Sequence, residues 1–337
     1  MNRDAARDEP RTPHGSSDDP DVLDFSANCN PLVPDGTETV YREAFAAART
    51  YPEEPPADYR RAAADYVGCD PDDVVPTPGG LAAIRLAIDL AVDPGDTVAV
   101  PFPSFGEYAR EVRLQGGAPA FVPEGDVVGV DPDEYALVVV CTPNNPTGTA
   151  YPDGDLRDLA ARCRDAATPL LVDEAFLGFT DRPSLAGEDG VIVARSLTKL
   201  FGLPGIRAGF AVATGAWGAA LSNARRTWNL GAPALATGAY CMRQPAFVRE
   251  TRDRVASERE RLAAALRDAG YGVHDSEAPF LLLDTGDRAV DAVLAHAADA
   301  GVALRDARSF RGLDDHVRVA VRLPAENDRL LEVLRGA

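Results

Sequence analysis

The chain holds a single lysine, Lys199, in the run Arg195-Ser196-Leu197-Thr198-Lys199-Leu200-Phe201-Gly202-Leu203-Pro204-Gly205-Ile206-Arg207, and otherwise uses arginine as its basic residue. Arginine stays protonated at any working pH, whereas a desolvated lysine can lose its proton and become a nucleophilic amine, which is what a Schiff base requires. Hydroxyls flank it at Ser196 and Thr198, and Arg207 beyond the Gly/Pro turn is a fork for an anion. A surface lysine in a lysine-poor protein is the alternative, and the lysine alone does not decide.

Further residues supply what such an amine needs. Asp173 ends an apolar run (169–172) and Asn145 follows another (136–141), in Thr142-Pro143-Asn144-Asn145-Pro146-Thr147-Gly148. Gly79-Gly80-Leu81 precedes an Ala/Leu-rich helix, where exposed N–H groups and the positive end of the helix dipole bind phosphate without a cationic side chain. Phe105, between proline-set turns, can stack on a flat ring, with core packing as the bland alternative. In Val317-Arg318-Val319-Ala320-Val321-Arg322 the alternation puts Arg318 and Arg322 on one strand face, where two guanidiniums repel unless an anion or salt partner lies between them. Asn28 and Asn30, one residue apart, can line a polar site or simply form an Asn-Pro turn. His14-Gly15 is the one dipeptide of the first 20 residues with chemistry to offer.

The elements that must position these residues read as an alternation. Continuous apolar runs at 136–141, 169–172 and 191–194 are expected to be parallel strands covered on both faces. They place Asn145, Asp173 and Lys199 beyond their C-terminal ends, the rim where open α/β sheets bind ligands. Further strands are expected at 97–100 and 210–214, and helices at 37–50, 58–68, 153–167, 217–226 and 234–243. A long charged helix at about 246–269 leads into an α+β remainder: strands at 280–284, 302–305 and 317–322, with helices at 289–300 and from 326. The fold class is therefore α/β, a mostly parallel central sheet with helices on both faces plus a smaller α+β domain. The expected division is a flexible arm over 1–20, an N-terminal segment over 21–45 packing with the small domain, a large domain over 46–240 and the small domain over 241–337.

Composition excludes several classes. With 337 residues, 45% of them hydrophobic, the chain can bury a large core. Thirty-four basic against 53 acidic residues give a formal charge of −19, which repels nucleic acid and anionic membranes. Acid-rich, lysine-poor composition is that of a protein adapted to high salt, where screening suppresses self-repulsion. Five scattered cysteines show no metal-binding spacing, so no metal is expected. No run is apolar enough for a membrane span or a signal peptide, and a cytoplasmic location is expected.

A lysine for an imine, an aspartate to keep a pyridine nitrogen protonated, an asparagine for a ring hydroxyl, an aromatic to stack and a glycine turn with Ser196 and Arg207 for a phosphate together describe pyridoxal 5'-phosphate. From Asp24 to Arg335 the sequence resembles the fold-type I, aspartate-aminotransferase-like family. Asn145-Pro146-Thr147-Gly148, Asp173-Glu174-Ala175 and Ser196-Leu197-Thr198-Lys199 with Arg207 match its motifs in order and spacing. The resemblance implies that Lys199 is the catalytic residue and bears the cofactor, with Asn145 and Asp173 binding its ring and Phe105 stacking on it. Gly80, Leu81, Ser196 and Arg207 would hold its phosphate. It also implies a homodimer in which Tyr51 of one subunit reaches the cofactor phosphate of the other.

Two branches of the family compete. Asp24-Phe25-Ser26-Ala27-Asn28-Cys29-Asn30-Pro31-Leu32 looks like the corresponding segment of L-threonine-O-3-phosphate decarboxylases of cobalamin biosynthesis. So do His14-Gly15, Pro103-Ser104-Phe105 with Glu107-Tyr108, Phe176 after Asp173-Glu174-Ala175, Trp228, and Arg305-Asp306 with Ser309-Phe310 and Gly312-Leu313. Histidinol-phosphate aminotransferases more often carry Asn-Glu-Asn-Pro near the start and tyrosine where Phe176 stands. Val33, Cys29 and Pro78 depart from the decarboxylase pattern without removing a group the chemistry needs. The expected activity is decarboxylation of a small anionic amino-acid phosphate, with Asn30, Arg318, Arg322 and His14 as candidate substrate ligands. Transamination is the alternative, and a non-catalytic cofactor-binding protein a third reading.

Overall fold

The structure, a computed structural model, describes all residues except 4, 13, 18 and 337. Its centre is a seven-stranded sheet of β2 (Val74–Thr77), β3 (Thr97–Phe102), β4 (Ala118–Pro123), β5 (Leu137–Cys141), β6 (Leu170–Asp173), β7 (Val191–Ser196) and β8 (Gly209–Val212). The spatial order is β2-β8-β7-β6-β5-β3-β4, and only β8 runs antiparallel to its neighbours. The apolar runs of β5, β6 and β7 divide between the two faces as period 2 requires: Val138, Val140, Val172 and Val193 join the core on one side, Leu137, Val139, Leu171 and Ile192 that on the other.

Helices cover both faces and fill the small domain: α2 (Thr37–Ala47), α3 (Ala57–Val67), α4 (Gly80–Ala91), α5 (Glu107–Gln115), α6 (Asp153–Asp165), α7 (Gly215–Ala224), α8 (Ala232–Met242), α9 (Pro245–Asp268), α10 (Val290–Asp299) and α11 (Pro324–Arg335). The small domain contains a four-stranded antiparallel sheet ordered β12-β13-β10-β9, from β9 (Gly272–Val273), β10 (Phe280–Asp284), β12 (Arg305–Asp306) and β13 (His316–Ala320). β1 (Leu23–Asp24) pairs in parallel with β11 (Val302–Ala303), and the Ala320 N–H donates to the Phe25 carbonyl at 2.9 Å, tying the segment before Asn28 to the small domain. The rest of that N-terminal segment goes elsewhere, α2 packing on α8.

The elements β2, β4, α5 and the short α1 (Ala5–Asp8) lie outside the sequence reading. β2 and β4 are the two edges of the large sheet, and Pro76, Pro119 and Pro123, which argue against strands in general, are tolerated there because an edge strand need not donate every N–H. α5, which the sequence reading did not assign, buries Glu107, Glu111 and Gln115 alongside Tyr108, Val112 and Leu114. The first 20 residues, expected to hold no packed element, include the one-turn helix α1 (Ala5–Asp8) and lie along α5. Asn2 N–H donates to Leu114 O at 2.7 Å, Glu9 pairs with Arg113 at 3.0 Å, and Arg110 Nε donates to Pro10 O at 3.0 Å. A polar arm finds its partners on the polar face of that helix.

Candidate active site

The C-terminal ends of β2, β3, β5, β6 and β7 open on one cavity of about 340 Å³. Lys199, Asp173, Asn145, Phe105, Gly80, Leu81, Ser196, Arg207, Arg318 and His14 all line it. Three expected residues do not. Tyr51 is 76% exposed and stacks on Trp228 with ring centroids 4.2 Å apart, on the outside of its own chain. Asn30 is buried beside the cavity wall, its amide donating to Leu200 O at 2.8 Å and its Oδ1 accepting from Arg254 at 2.7 Å. Arg322 lies past the end of β13, bonded to Asp24 O at 3.1 Å and to Glu326 at 2.9 Å. Asn30 and Arg322 are thus corrected from substrate ligands to struts that hold the N-terminal segment in place.

Two neighbours take their places. Asn28, the first of the asparagine pair, lines the cavity, is 4% exposed, and has an Oδ1 with no partner. A buried acceptor left bare costs free energy, so a donor on a ligand is its natural complement. Arg305 of β12 sits opposite Arg318 in the ladder with β13, and both line the cavity. The anticipated arginine pair therefore exists across two strands rather than along one. Burial, and then the Arg305 charge beside it, pull Arg318 below the usual arginine range, which marks a place short of an anion.

Each cofactor-directed residue is held by its own element. Asp173, at the end of β6, is 5% exposed; Tyr108 of α5 donates its hydroxyl to Oδ2 at 2.5 Å and Ala175 N–H donates to Oδ1 at 2.9 Å. Burial raises the Asp173 carboxyl above the ordinary aspartate value, and these two donors work against that rise. Tyr108 is fully buried and meets Phe105 edge to face at 5.6 Å, so one residue orients both the carboxylate and the stacking ring. Sequence reading placed it only in a motif. Asn144 is spent on the loop, bonding Pro103 O at 2.9 Å and Ser104 at 2.9 Å, which leaves Asn145 to face the cavity and bond Arg318.

The phosphate cradle follows from the start of α4. Gly79 has φ +92°, a conformation costly for any other residue, and Arg207, itself at φ +55°, lays its guanidinium against it, bonding Pro78 O at 3.3 Å. A Cβ on Gly80 would stand 3.1 Å from Ser196 Cβ. The first turn of α4 carries no acidic side chain, so its unpaired N–H groups present positive charge to the cavity, and Ser196 and Thr198 share a hydrogen bond of 2.8 Å beside them. Lys199 is held below lysine's ordinary value chiefly by desolvation, with the Arg318 and Arg207 charges acting in the same direction. An amine of lowered proton affinity, a buried aspartate, an anion cradle and a stacking ring fit pyridoxal 5'-phosphate.

Comparison with known proteins agrees. The model for "Aminotransferase class I and II" matches residues 20–334. Histidinol-phosphate aminotransferase 2 of Archaeoglobus fulgidus is 32% identical, covering 94% of this chain and 93% of the relative. A Caldanaerobacter subterraneus subsp. tengcongensis protein that carries the inferred name threonine-phosphate decarboxylase is 32% identical, covering 92% and 89%. The histidinol-phosphate aminotransferase of Halobacterium salinarum is 31% identical, covering 94% and 91%. Among solved structures, that of the histidinol-phosphate aminotransferase from Clostridium acetobutylicum superposes with a TM-score of 0.86 at 23% identity, covering 94% and 98%. With its motifs in order and its cavity built for pyridoxal 5'-phosphate, the chain belongs to the class I and II aminotransferase family.

Proposed function

We propose that this chain is a pyridoxal-5'-phosphate-dependent decarboxylase that converts L-threonine O-3-phosphate to (R)-1-aminopropan-2-yl phosphate and CO₂ in cobalamin biosynthesis. One observation carries the reading. The segments that distinguish the decarboxylase branch, namely His14-Gly15, Ser26-Ala27-Asn28, Phe176, Arg305 and Ser309-Phe310, come from four separate parts of the chain and converge on the cavity that holds Lys199.

Bound pyridoxal phosphate supplies the electron sink for the pair left when a bond to the substrate Cα breaks. The chain's residues decide which bond that is. Arg305 and Arg318, desolvated and paired across the ladder, take the two anionic ends of the substrate, with Asn28 and His14 bonding beside them. If they fix the carboxylate perpendicular to the ring, CO₂ leaves; if they fix the hydrogen there, a proton leaves instead. Lys199, the residue that would bear the cofactor, would be the proton donor to Cα, a role that its lowered proton affinity suits. Asp173, whose carboxylate accepts from Tyr108 and from the Ala175 N–H, would face the pyridine nitrogen and favour its protonated form.

The reading includes a homodimer. Tyr41 (48% exposed) and Phe45 (73%) on α2, and Tyr51 (76%) stacked on Trp228 (48%), are large side chains left exposed on one copy, and exposed apolar patches mark interaction surfaces. A second copy covers them and brings Tyr51 to its partner's cofactor phosphate.

Histidinol-phosphate transamination is the competing reading, favoured by the names of several relatives at the same identity. Purified holoenzyme in high salt, given each substrate in turn, separates the two. CO₂ from L-threonine O-3-phosphate supports the proposal; glutamate dehydrogenase-coupled detection running in the direction of 2-oxoglutarate-dependent glutamate formation from histidinol phosphate, with no CO₂, overturns it.

A further inference from the structure

The chain has four histidines, and two of them, His274 and His316, meet on the small-domain sheet. His274 follows the edge strand β9, its N–H donating to Leu282 O at 3.1 Å. His316 opens β13 opposite Asp284 of β10. Residues directly opposed in an antiparallel ladder share a face, as do alternate residues along a strand, so both rings rise from the same side over the intervening β10. Their Nε2 atoms are 3.1 Å apart, with the rings tilted at 56°. Neither residue lines the Lys199 cavity.

Two neutral imidazoles at this distance make one hydrogen bond, one ring donating and the other accepting. His316 has its Nδ1 buried with no partner, so that bond is the ring's polar engagement. The same separation suits a metal. Two nitrogens 3.1 Å apart, each about 2.0–2.1 Å from one ion, subtend roughly 100° at it, close to a tetrahedral angle.

We propose that His274 and His316 form a bidentate site for a divalent transition-metal ion of the zinc class, bound through both Nε2 atoms. Among the described residues no third His, Cys, Asp or Glu joins them in a ligand group, so water completes the coordination and the ion exchanges with solvent. Asp284, Glu124 and Asp275 lie close enough for their charges to favour a cation there. The ion ties the edge strand β9 to β13 across β10 and stabilises the folded chain by mass action.

The full chain loaded with pyridoxal phosphate, stripped with a chelator and held in phosphate-free high-salt buffer, is titrated calorimetrically with zinc chloride, beside His274→Ala and His316→Ala. Circular dichroism checks that each variant is folded. One site per chain is expected in the wild type, weakened about a hundredfold in each variant because a chelating pair becomes a single imidazole. Zinc should raise the Tm of the wild type and leave that of the variants unmoved. No binding in the wild type, or a site unchanged in either folded variant, overturns the proposal. The readout is metal binding and not turnover, so this result is independent of the reaction assigned above.

Discussion

At the scale of single residues, the lysine, aspartate and asparagine of the site were legible because each follows an apolar run whose end fixes its position. Which of Asn28 and Asn30 would face the cavity, and that Arg305 would reach it, were not. Alternation along a strand shows which residues share a face, but not which strand lies alongside, and Arg305 reaches the cavity only through its register with Arg318. Tyr108 is a motif member in the sequence, and its bond to Asp173 depends on α5, which the sequence reading did not assign. Tyr108→Phe removes a donor to a buried carboxylate, an interaction worth about 1.5–3 kcal/mol. It should lower kcat/KM roughly tenfold or more and shift the pH dependence of the bound cofactor's absorbance; a variant with wild-type absorbance at every pH would deny Tyr108 this role. Lys199 allows a sign to be worked out. Its folded-state value lies below the ordinary 10.5, so between the two the unfolded chain binds more protons and stability rises with pH. Cofactor-free Lys199→Met should therefore resist denaturant better than the cofactor-free wild type at pH 7, the gap closing as pH approaches 10.5. An equal gap at all pH values would mean that the lysine is not desolvated.

At the scale of elements, buried strands and long helices were readable to within a few residues, since continuous apolar runs and helical periodicity survive any tertiary context. The edges were not, because β2 and β4 carry prolines that only their edge positions excuse. The turn into α4 was recognised as an anion site from two glycines, and the structure adds why both are needed. Gly79→Ala forces a side chain into φ +92° with its Cβ 2.6 Å from Arg207 Nη2, a strain of about 1–2 kcal/mol before any loss of the arginine's position. Its affinity for pyridoxal phosphate, followed by absorbance titration, should fall about tenfold or more. Unchanged affinity would detach Arg207 from the cradle.

At the scale of the whole molecule, the two-domain α/β architecture was legible from the order of its elements, whereas the docking of the first 20 residues on α5 depends on polar contacts that no periodicity records. The exposed α2 face is where assembly is expected to act. Phe45→Glu should shift the protein from dimer to monomer in sedimentation and cost most of its activity, and a variant that stays dimeric would place the interface elsewhere. The reaction is decided by how the cavity as a whole holds its substrate. The direct test is carbon-13 NMR of the holoenzyme in high salt with L-threonine O-3-phosphate labelled at the carboxyl carbon. The label should appear as CO₂ and bicarbonate in step with aminopropanol phosphate, and not at all with Lys199→Ala. Label retained in a 2-oxo acid, or in unreacted substrate while histidinol phosphate is turned over, would contradict the account.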